Sequence, residues 1–203
     1  MIFHPGTKRQ YRIVCQGDSI TKDTALIPSG PWWPEYMATI LGSDVREVIN
    51  AGIGGKTTNY LSALAPAGDS YLLTHDKTIV FCWEIGNSIR FDVGMTARQA
   101  VDDFKAWVLK YRSVGCKVVI ANLWPRADWT APQQVTADQV NLILDDEWRS
   151  FSDRLSEMRP TERAKLGLLP IALFPDGVHP LESGHQIIAQ DHATIARSIM
   201  ATF

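Results

Sequence analysis

Three side chains of this sequence have the chemistry of a nucleophile, a base and an orienting acid. Ser19 stands in the stretch GDSI, while Asp176 and His179 stand three residues apart in DGVHP. One turn can place the carboxylate of Asp176 against Nδ1 of His179 and leave Nε2 free to take a proton from the Ser19 hydroxyl. The chain order Ser, Asp, His is one known arrangement of such a triad. The three residues together therefore predict acyl transfer through a serine nucleophile.

Acyl transfer also needs hydrogen-bond donors for the negatively charged oxygen of its tetrahedral intermediate. Removal of one such donor costs about 3 kcal/mol in the transition state. Three candidate donors follow three different strand-like segments: the N–H of Ser19, the N–H of Gly52 in NAGIGGKT and the side-chain NH₂ of Asn87 in GNS. We expect these donors to converge on one oxygen.

Each of these motifs also has an ordinary structural interpretation. A lone serine after a strand most often caps a helix or forms a turn. The Asp-x-x-His segment before Pro180 reads equally well as a polar turn, and Gly52 and Asn87 are common turn residues. The occurrence of all these motifs at the ends of separate strand-like segments favours the catalytic interpretation.

The elements that must position these residues alternate between short β-branched runs and longer amphipathic stretches. The predicted strands are Tyr11–Cys15, Val45–Ile49, Thr78–Trp83, Lys117–Asn122 and Leu166–Ala172. The predicted helices cover residues 33–41, 96–115, 136–155 and 181–203. Strand interiors such as TIVFCW are almost wholly apolar, which is typical of a parallel sheet covered on both faces.

This alternation predicts a three-layer α/β fold with right-handed crossovers. The length of 203 residues suits one domain, which we expect to cover residues 1–203. Sheets of this kind bind ligands at the carboxyl ends of their strands. The segments GDS, NAG, GNS and PDGVHP all follow predicted strands, so the fold class itself would bring the candidate residues to one edge of the sheet.

The composition restricts the partners and the compartment. A net charge of −2 gives no electrostatic footprint for nucleic acid. No apolar run approaches the roughly 18 residues of a membrane span, and the first ten residues lack the apolar core of a signal peptide. We expect a cytoplasmic protein, with an extracellular or virion-borne location left open. Cys15, Cys82 and Cys116 are expected to be buried thiols outside any disulfide.

Other kinds of site are disfavoured. NAGIGGKT resembles a phosphate-binding loop, but Asn50 stands where the first glycine is needed and the segment follows the second predicted strand. Thr21 replaces the second glycine of the Gly-x-Ser-x-Gly elbow of α/β-hydrolases. The remaining histidines lack the spacing of zinc ligands: His4, His75, His185 and His192. We expect neither a metal ion nor a cofactor.

The four motifs together resemble the blocks of the SGNH hydrolase superfamily, also called the GDSL family. GDSI is similar to the first block, NAG to the second, GNS to the third and DGVHP to the last, and the resemblance covers nearly the whole chain. It implies a flavodoxin-like sheet of five parallel strands and ester hydrolysis without metal or cofactor. It further implies Ser19 as nucleophile, Asp176 and His179 as its partners, and an oxyanion hole formed by Ser19, Gly52 and Asn87.

Two positions depart from the pattern of that family. Its third block usually reads Gly-x-Asn-Asp, and here Ile85 and Ser88 stand at the first and last of these positions. Because the usual aspartate supports the loop, we expect a changed hydrogen-bond network around Asn87 in an active enzyme. The first block ends in Ile20 where leucine is commoner, which is a conservative change.

The substrate is predicted from the side chains near the four motifs. Asp18, Trp124 and Trp129 are expected to contact it, because indole rings on the active face could stack on sugars. No long insertion suggests a lid or a lipid tunnel. We therefore expect short-chain acyl esters, including O-acetyl groups on carbohydrate, as small-molecule or glycan substrates. Lysophospholipase, thioesterase or acyltransferase activity, and a non-catalytic carbohydrate-binding module, stay open as alternatives, and the patterns give no indication of oligomeric state.

Overall fold

A five-stranded parallel β-sheet lies at the centre of the computed structural model, which describes residues 11–22, 30–65, 77–159, 174 and 176–203. Its strands are β1 Tyr11–Gly17, β2 Glu47–Asn50, β3 Lys77–Trp83, β4 Lys117–Ala121 and β5 Arg154–Ser156. The strand order is β2-β1-β3-β4-β5, and every neighbouring pair is parallel. This is the order of flavodoxin-like sheets, so the predicted fold class is confirmed.

Helices cover both faces of the sheet and complete the three layers. They are α1 Trp33–Leu41, α2 Thr58–Leu64, α3 Gly86–Phe91, α4 Ala97–Ser113, α5 Ala131–Glu147 and α6 Glu182–Met200. Helix α1 packs against α6 on one face, while α4 packs against α2 and α5 on the other. No helix in the described ranges is long and apolar enough to cross a membrane.

The central strands supply both halves of the core through their alternating side chains. In β3, Val80 and Cys82 belong to the core beneath α4 and α5, whereas Ile79 and Phe81 belong to the core beneath α1 and α6. All four side chains are buried, as the apolar run TIVFCW predicted. The three cysteines are also buried, and none is in a disulfide, which confirms that prediction.

Capping residues set the ends of the two long helices α4 and α5. Oγ1 of Thr96 accepts a hydrogen bond from the N–H of Gln99 at 3.2 Å and so caps α4. Thr130 caps α5 in a reciprocal pair with Gln133, whose side chain accepts from the Thr130 N–H at 2.9 Å. Gly115 follows α4 with a φ of +87°, a conformation that favours glycine.

The predicted helix over residues 136–155 was wrong at its end, because its last residues form a strand. The edge strand β5 spans Arg154–Ser156, inside the predicted helix over residues 136–155, whereas α5 ends at Glu147. Trp148, Phe151 and Leu155 recur at helical spacing and so extended the predicted helix. The predicted strand Leu166–Ala172 lies outside the described residues. The other predicted strands and helices match described elements, with ends shifted by one or two residues in most cases.

Strand β1 also pairs with the residues that directly follow β2, at the carboxyl edge of the sheet. The N–H of Ala51 donates to the carbonyl of Cys15, and the N–H of Ile53 donates to the carbonyl of Gly17, both at 2.9 Å. Because all strands are parallel, the segments that follow β1, β2, β3 and β4 meet at this one edge.

Gly17, the last residue of β1, is required there by crowding. A Cβ at this position would lie 2.6 Å from the carbonyl oxygen of Trp83 in β3 and 2.3 Å from Oγ1 of Thr21. The Trp83 carbonyl belongs to the neighbouring central strand and cannot move aside without breaking the ladder.

We predict that Gly17→Ala lowers the free energy of unfolding by about 3 kcal/mol or more, because the new methyl group overpacks a rigid backbone contact. Gly115→Ala is the matched control: its Cβ meets open space, and the positive φ alone should cost about 1 to 2 kcal/mol. Urea unfolding of both variants provides the measurement. Equal losses in the two variants would contradict the crowding at Gly17.

Candidate active site

The side chains of Ser19, His179 and Asp176 form one hydrogen-bonded chain at the carboxyl edge of the sheet. Oγ of Ser19 lies 2.8 Å from Nε2 of His179, and Nδ1 of His179 lies 2.7 Å from Oδ2 of Asp176. Both distances are those of direct hydrogen bonds. Ser19 and His179 are 160 residues apart in sequence, so only the tertiary fold brings them together.

The turn from Asp176 to His179 fixes the orientation of the imidazole. Oδ1 of Asp176 accepts hydrogen bonds from the N–H groups of Val178 at 2.9 Å and His179 at 2.7 Å. Gly177 adopts a φ of +72°, and its carbonyl accepts from the N–H of Ala127 at 3.0 Å. The turn is therefore closed by its own carboxylate and tied to the loop that follows β4.

The same contacts keep Asp176 in its charged form. Partial burial acts to raise the pKa of this carboxyl, but the N–H and ring of His179 and the N–H of Val178 outweigh it and hold the pKa below its usual range. A charged Asp176 favours the tautomer of His179 that carries its proton on Nδ1, because a carboxylate can only accept. Nε2 is then the nitrogen that accepts the hydrogen bond from the Ser19 hydroxyl.

Ser19 lies in a tight turn directly after β1. The carbonyl of Asp18 accepts from the N–H groups of Thr21 at 3.1 Å and Lys22 at 3.0 Å, and Oδ1 of Asp18 accepts from the N–H of Ile20 at 2.9 Å. No helix begins at Ser19, because the residues after it form this turn. Of the two ordinary interpretations of a lone serine, the helix cap does not apply.

Asn50, the last residue of β2, links the second motif to the Ser19 turn. Its Nδ2 donates to the carbonyl of Thr21 at 3.1 Å and to Oε1 of Glu35 at 2.8 Å. Its Oδ1 accepts the N–H of Gly52 at 3.2 Å. The amide of Asn50 thus holds the end of β2, helix α1 and the Ser19 turn in one arrangement.

Gly52 allows the second motif to approach the Ser19 turn closely. A Cβ at Gly52 would lie 2.7 Å from Cβ of Thr21 and 2.9 Å from the nitrogen of Lys22. Its N–H, predicted as an oxyanion donor, is bonded to Asn50 in this structure. The predicted role of Gly52 as a donor therefore requires that this hydrogen bond be exchanged for one to the substrate.

Asn87 is buried at the start of α3, with its side-chain amide held at both ends. Nδ2 donates to the carbonyl of Lys56 at 3.1 Å, and Oδ1 accepts from Nη1 of Arg126 at 3.2 Å. The same Nη1 lies 4.0 Å from Oδ2 of Asp18. The guanidinium of Arg126 therefore lies between the Ser19 turn and Asn87, and connects the first motif to the third.

The network around Asn87 is built on the carboxyl of Glu84, the residue that follows β3. Oε1 of Glu84 accepts from the N–H groups of Asn87 at 2.8 Å and Ser88 at 3.1 Å. Oε2 contacts Oγ1 of Thr58 and Oγ of Ser88, and the Ser88 hydroxyl accepts from the Thr58 N–H at 3.0 Å. Ser88, which stands where the family pattern has an aspartate, thus joins a network centred on Glu84.

Three further residues, predicted to contact substrate, are almost fully buried. Asp18 is 2% exposed, Trp124 is 5% exposed and Trp129 is 9% exposed. Trp124 packs edge-on against Trp83, and Nε1 of Trp129 donates to the carbonyl of Gly86 at 3.3 Å. This placement disagrees with the expected sugar stacking, because tryptophan rings that follow a strand can turn inward to fill the core.

Two buried ionisable side chains behind the Ser19 turn, Glu84 and Arg126, were not identified from the sequence. Asp18, Glu84 and Arg126 line a small cavity of about 10 Å³, large enough for a single water molecule. Burial raises the pKa of Asp18, and the Ile20 N–H and Arg126 lower it in part. Glu84 directly follows β3, and Arg126 lies in the loop that follows β4, so their positions after two strands were the signal that could have identified them.

A family model matches most of the chain. The model of the GDSL-like lipase/acylhydrolase family matches residues 15–187 of the chain. A search of curated proteins found no match to this chain.

Two solved structures share the fold. A member of the lipolytic G-D-S-L family from Veillonella parvula is 19% identical, with a TM-score of 0.72 over 91% of this chain and 97% of that chain. The acetylxylan esterase Axe2 from Geobacillus stearothermophilus is 19% identical, with a TM-score of 0.68 over 93% of this chain and 94% of that chain. Because the family match runs from β1 into α6, the chain belongs to the GDSL-like lipase/acylhydrolase family and is a carboxylic ester hydrolase.

Proposed function

We propose that this protein is a serine esterase that hydrolyses short-chain acyl esters, with O-acetyl groups on carbohydrate as its natural substrate class. The observation that carries the proposal is the continuous chain of hydrogen bonds from Ser19 through His179 to Asp176. An aligned hydroxyl, imidazole and carboxylate is the arrangement that activates serine for attack on a carbonyl.

In the proposed reaction, Nε2 of His179 takes the Ser19 proton as Oγ bonds to the carbonyl carbon of the ester. The tetrahedral intermediate collapses when His179 returns that proton to the alcohol oxygen, which leaves an acyl group on Ser19. Water then attacks the acyl carbon and gives a proton to Nε2, and the carboxylic acid leaves as Ser19 recovers its hydrogen. Throughout, Asp176 holds the Nδ1–H of His179.

We assign three hydrogen-bond donors to the negatively charged oxygen of the intermediate. They are the N–H of Ser19, the side-chain NH₂ of Asn87 and an N–H of the loop after β2. One hydrogen of the Asn87 NH₂ is donated to Lys56, and the second has no acceptor among the residues that the structure describes. The loop offers Gly52, whose N–H must leave Asn50, and also Gly55, which has a φ of +71° and open space beside its Cα.

Two features support a short acyl group on a carbohydrate. The Axe2 structure, which shares this fold, is named as an acetylxylan esterase. In addition, the sequence carries no long insertion that would form a lid or a tunnel for a fatty-acyl chain.

The carboxyl of Glu84 gives the proposed reaction an upper pH limit. Burial, followed by the negative charge of Asp18, raises the pKa of Glu84 to about 8, against which the Thr58 hydroxyl and the N–H groups of Ser88 and Asn87 act. Glu84 is therefore neutral below about pH 8 and negative above it. Since it bonds to the N–H of Asn87, its ionisation puts a negative charge beside a proposed oxyanion donor.

We predict that Ser19→Ala lowers kcat for nitrophenyl acetate by at least about 10³-fold without changing the thermal unfolding temperature, because no other group can carry the acyl intermediate. Ser198→Ala, which removes a hydroxyl on the outer face of α6, serves as the matched control and should keep full activity. Undiminished ester cleavage by the Ser19 variant would refute the assignment.

A second prediction concerns acyl length. In a series of nitrophenyl esters from acetyl to dodecanoyl, kcat/KM should be highest for acetyl and fall with each longer chain, because the sequence carries no long insertion that would form a tunnel for the acyl chain. Release of acetate from acetylated xylo-oligosaccharides, followed by nuclear magnetic resonance, tests the carbohydrate part. A maximum on long acyl chains would overturn the substrate class and leave the triad intact.

A third prediction follows from Glu84. The kcat/KM of the wild-type enzyme should fall several-fold as pH rises through about 8, because charged Glu84 opposes the oxyanion. Glu84→Gln should show no such fall, and Asp138→Asn, which changes an exposed carboxyl of α5, should follow the wild type. The same alkaline fall in all three proteins would show that another group causes it.

A further inference from the structure

Arg126 is an unusual residue to find beneath an active-site edge. Its side chain is only 5% exposed, in the loop between β4 and α5. Burial lowers its pKa, which means that the charged form is held there at a cost in solvation. A buried guanidinium needs a partner for each of its donors, so the directions of its nitrogen atoms are informative.

Asp128 pairs with Arg126 and fixes the plane of its guanidinium, and its Oδ2 also contacts Nη1 of Arg90. Nε donates to Oδ1 and Nη2 donates to Oδ2 of Asp128, both at 3.0 Å, in a bidentate pair. This pairing leaves Nη1 on the opposite side of the guanidinium. Nη1 is the nitrogen that donates to Oδ1 of Asn87 at 3.2 Å and lies 4.0 Å from Oδ2 of Asp18.

The contact with Arg126 determines which way the amide of Asn87 faces. A guanidinium can only donate, so it must meet the oxygen of the amide, and the carbonyl of Lys56 can only accept, so it must meet the NH₂. The reversed amide would place an NH₂ against a guanidinium and an oxygen against a carbonyl. Arg126 and Lys56 therefore fix Nδ2 as the atom available to a substrate oxygen.

The surroundings of Arg126 are shaped to admit its guanidinium at this point. A Cβ at Gly86 would lie 2.8 Å from Nη1, so the residue beside Asn87 has no side chain where the guanidinium passes. The ring of Trp129 lies 5.5 Å from Cζ of Arg126, and its Nε1 donates to the carbonyl of Gly86. Gly86 and Trp129 thus hold the start of α3 against the guanidinium.

The geometry points to Arg126 as a positioning residue of the esterase site, which orients the Asn87 amide so that its NH₂ faces the substrate oxyanion. This inference rests on the proposed function, since it assigns Asn87 as an oxyanion donor. Arg126 acts through Asn87 and does not touch the substrate. Its effect should therefore appear in the transition state, where the oxyanion forms, and much less in substrate binding.

Arg126→Met is the first test, because methionine keeps much of the volume and loses the donor. We expect kcat for nitrophenyl acetate to fall at least about ten-fold while KM stays within about two-fold. Arg12→Met is the matched control. Arg12 is 4% exposed and pairs with Glu47 at the amino-terminal ends of β1 and β2, away from the site. It removes an equally buried arginine, so it should lower stability comparably and leave kcat unchanged.

A second variant keeps the arginine and displaces it. Gly86→Ala introduces a methyl group against Nη1, so it should lower kcat with the guanidinium still present. If Arg126→Met does not fold, Gly86→Ala and Arg126→Lys carry the test, since lysine keeps the charge but cannot supply the bidentate pair and a third donor together. Full kcat in folded Gly86→Ala and Arg126→Lys proteins would overturn the inference.

A double-mutant cycle with Asn87→Ala separates positioning from a general effect of charge. In the Asn87→Ala background, Arg126→Met should lower kcat by less than about three-fold, because there is no amide left to orient. Equal effects of Arg126→Met with and without Asn87 would contradict positioning. If Asn87→Ala alone keeps full activity, the proposed oxyanion hole fails, and if only Asn87→Ala is impaired, the hole stands and the role of Arg126 fails.

Discussion

The hydrogen bond between Oγ of Ser19 and Nε2 of His179 is the contact on which the proposed function depends. It joins the end of β1 to a turn 160 residues later, and each side is fixed separately. Asn50 and the carbonyl of Asp18 hold the serine turn, while the carboxylate of Asp176 and the contact with Ala127 hold the histidine turn. Small shifts of either turn would lengthen the bond, which explains why so many backbone groups are committed to both.

Beneath this contact, the protein buries three ionisable side chains. Asp18, Glu84 and Arg126 occupy positions where apolar side chains would cost less in solvation. They are arranged around Asn87: Glu84 binds its backbone, Arg126 binds its amide oxygen, and Asp18 lies 4.0 Å from Arg126. The inferred role of this network, which is to orient Asn87 as a hydrogen-bond donor before the reaction, accounts for this solvation cost, because preorganised donors stabilise a developing charge without rearrangement.

Much of the fold followed from the sequence, and the failures have physical reasons. Apolar runs such as TIVFCW predicted the central parallel strands because burial on both faces dictates such runs. The edge strand β5 has three residues and only one buried side chain, so nothing in its composition competed with the helical spacing of Trp148, Phe151 and Leu155. Trp124 and Trp129 were expected to contact substrate because they lie in the loop after β4. Both are buried, because loop position alone does not determine which way an indole turns. Glu84 and Arg126 both contact Asn87, and a contact such as that between Arg126 and Asn87 emerges only in three dimensions.

The most direct test of the account is the site of the acyl-enzyme intermediate. The protein is mixed with nitrophenyl acetate, quenched in acid during turnover, digested and analysed by mass spectrometry. The account predicts one acetyl group, located on the peptide that contains Ser19 and assigned by fragmentation to its hydroxyl. An acetyl group that turns over on any other residue, or rapid hydrolysis with no covalent intermediate after rapid quenching, would contradict it.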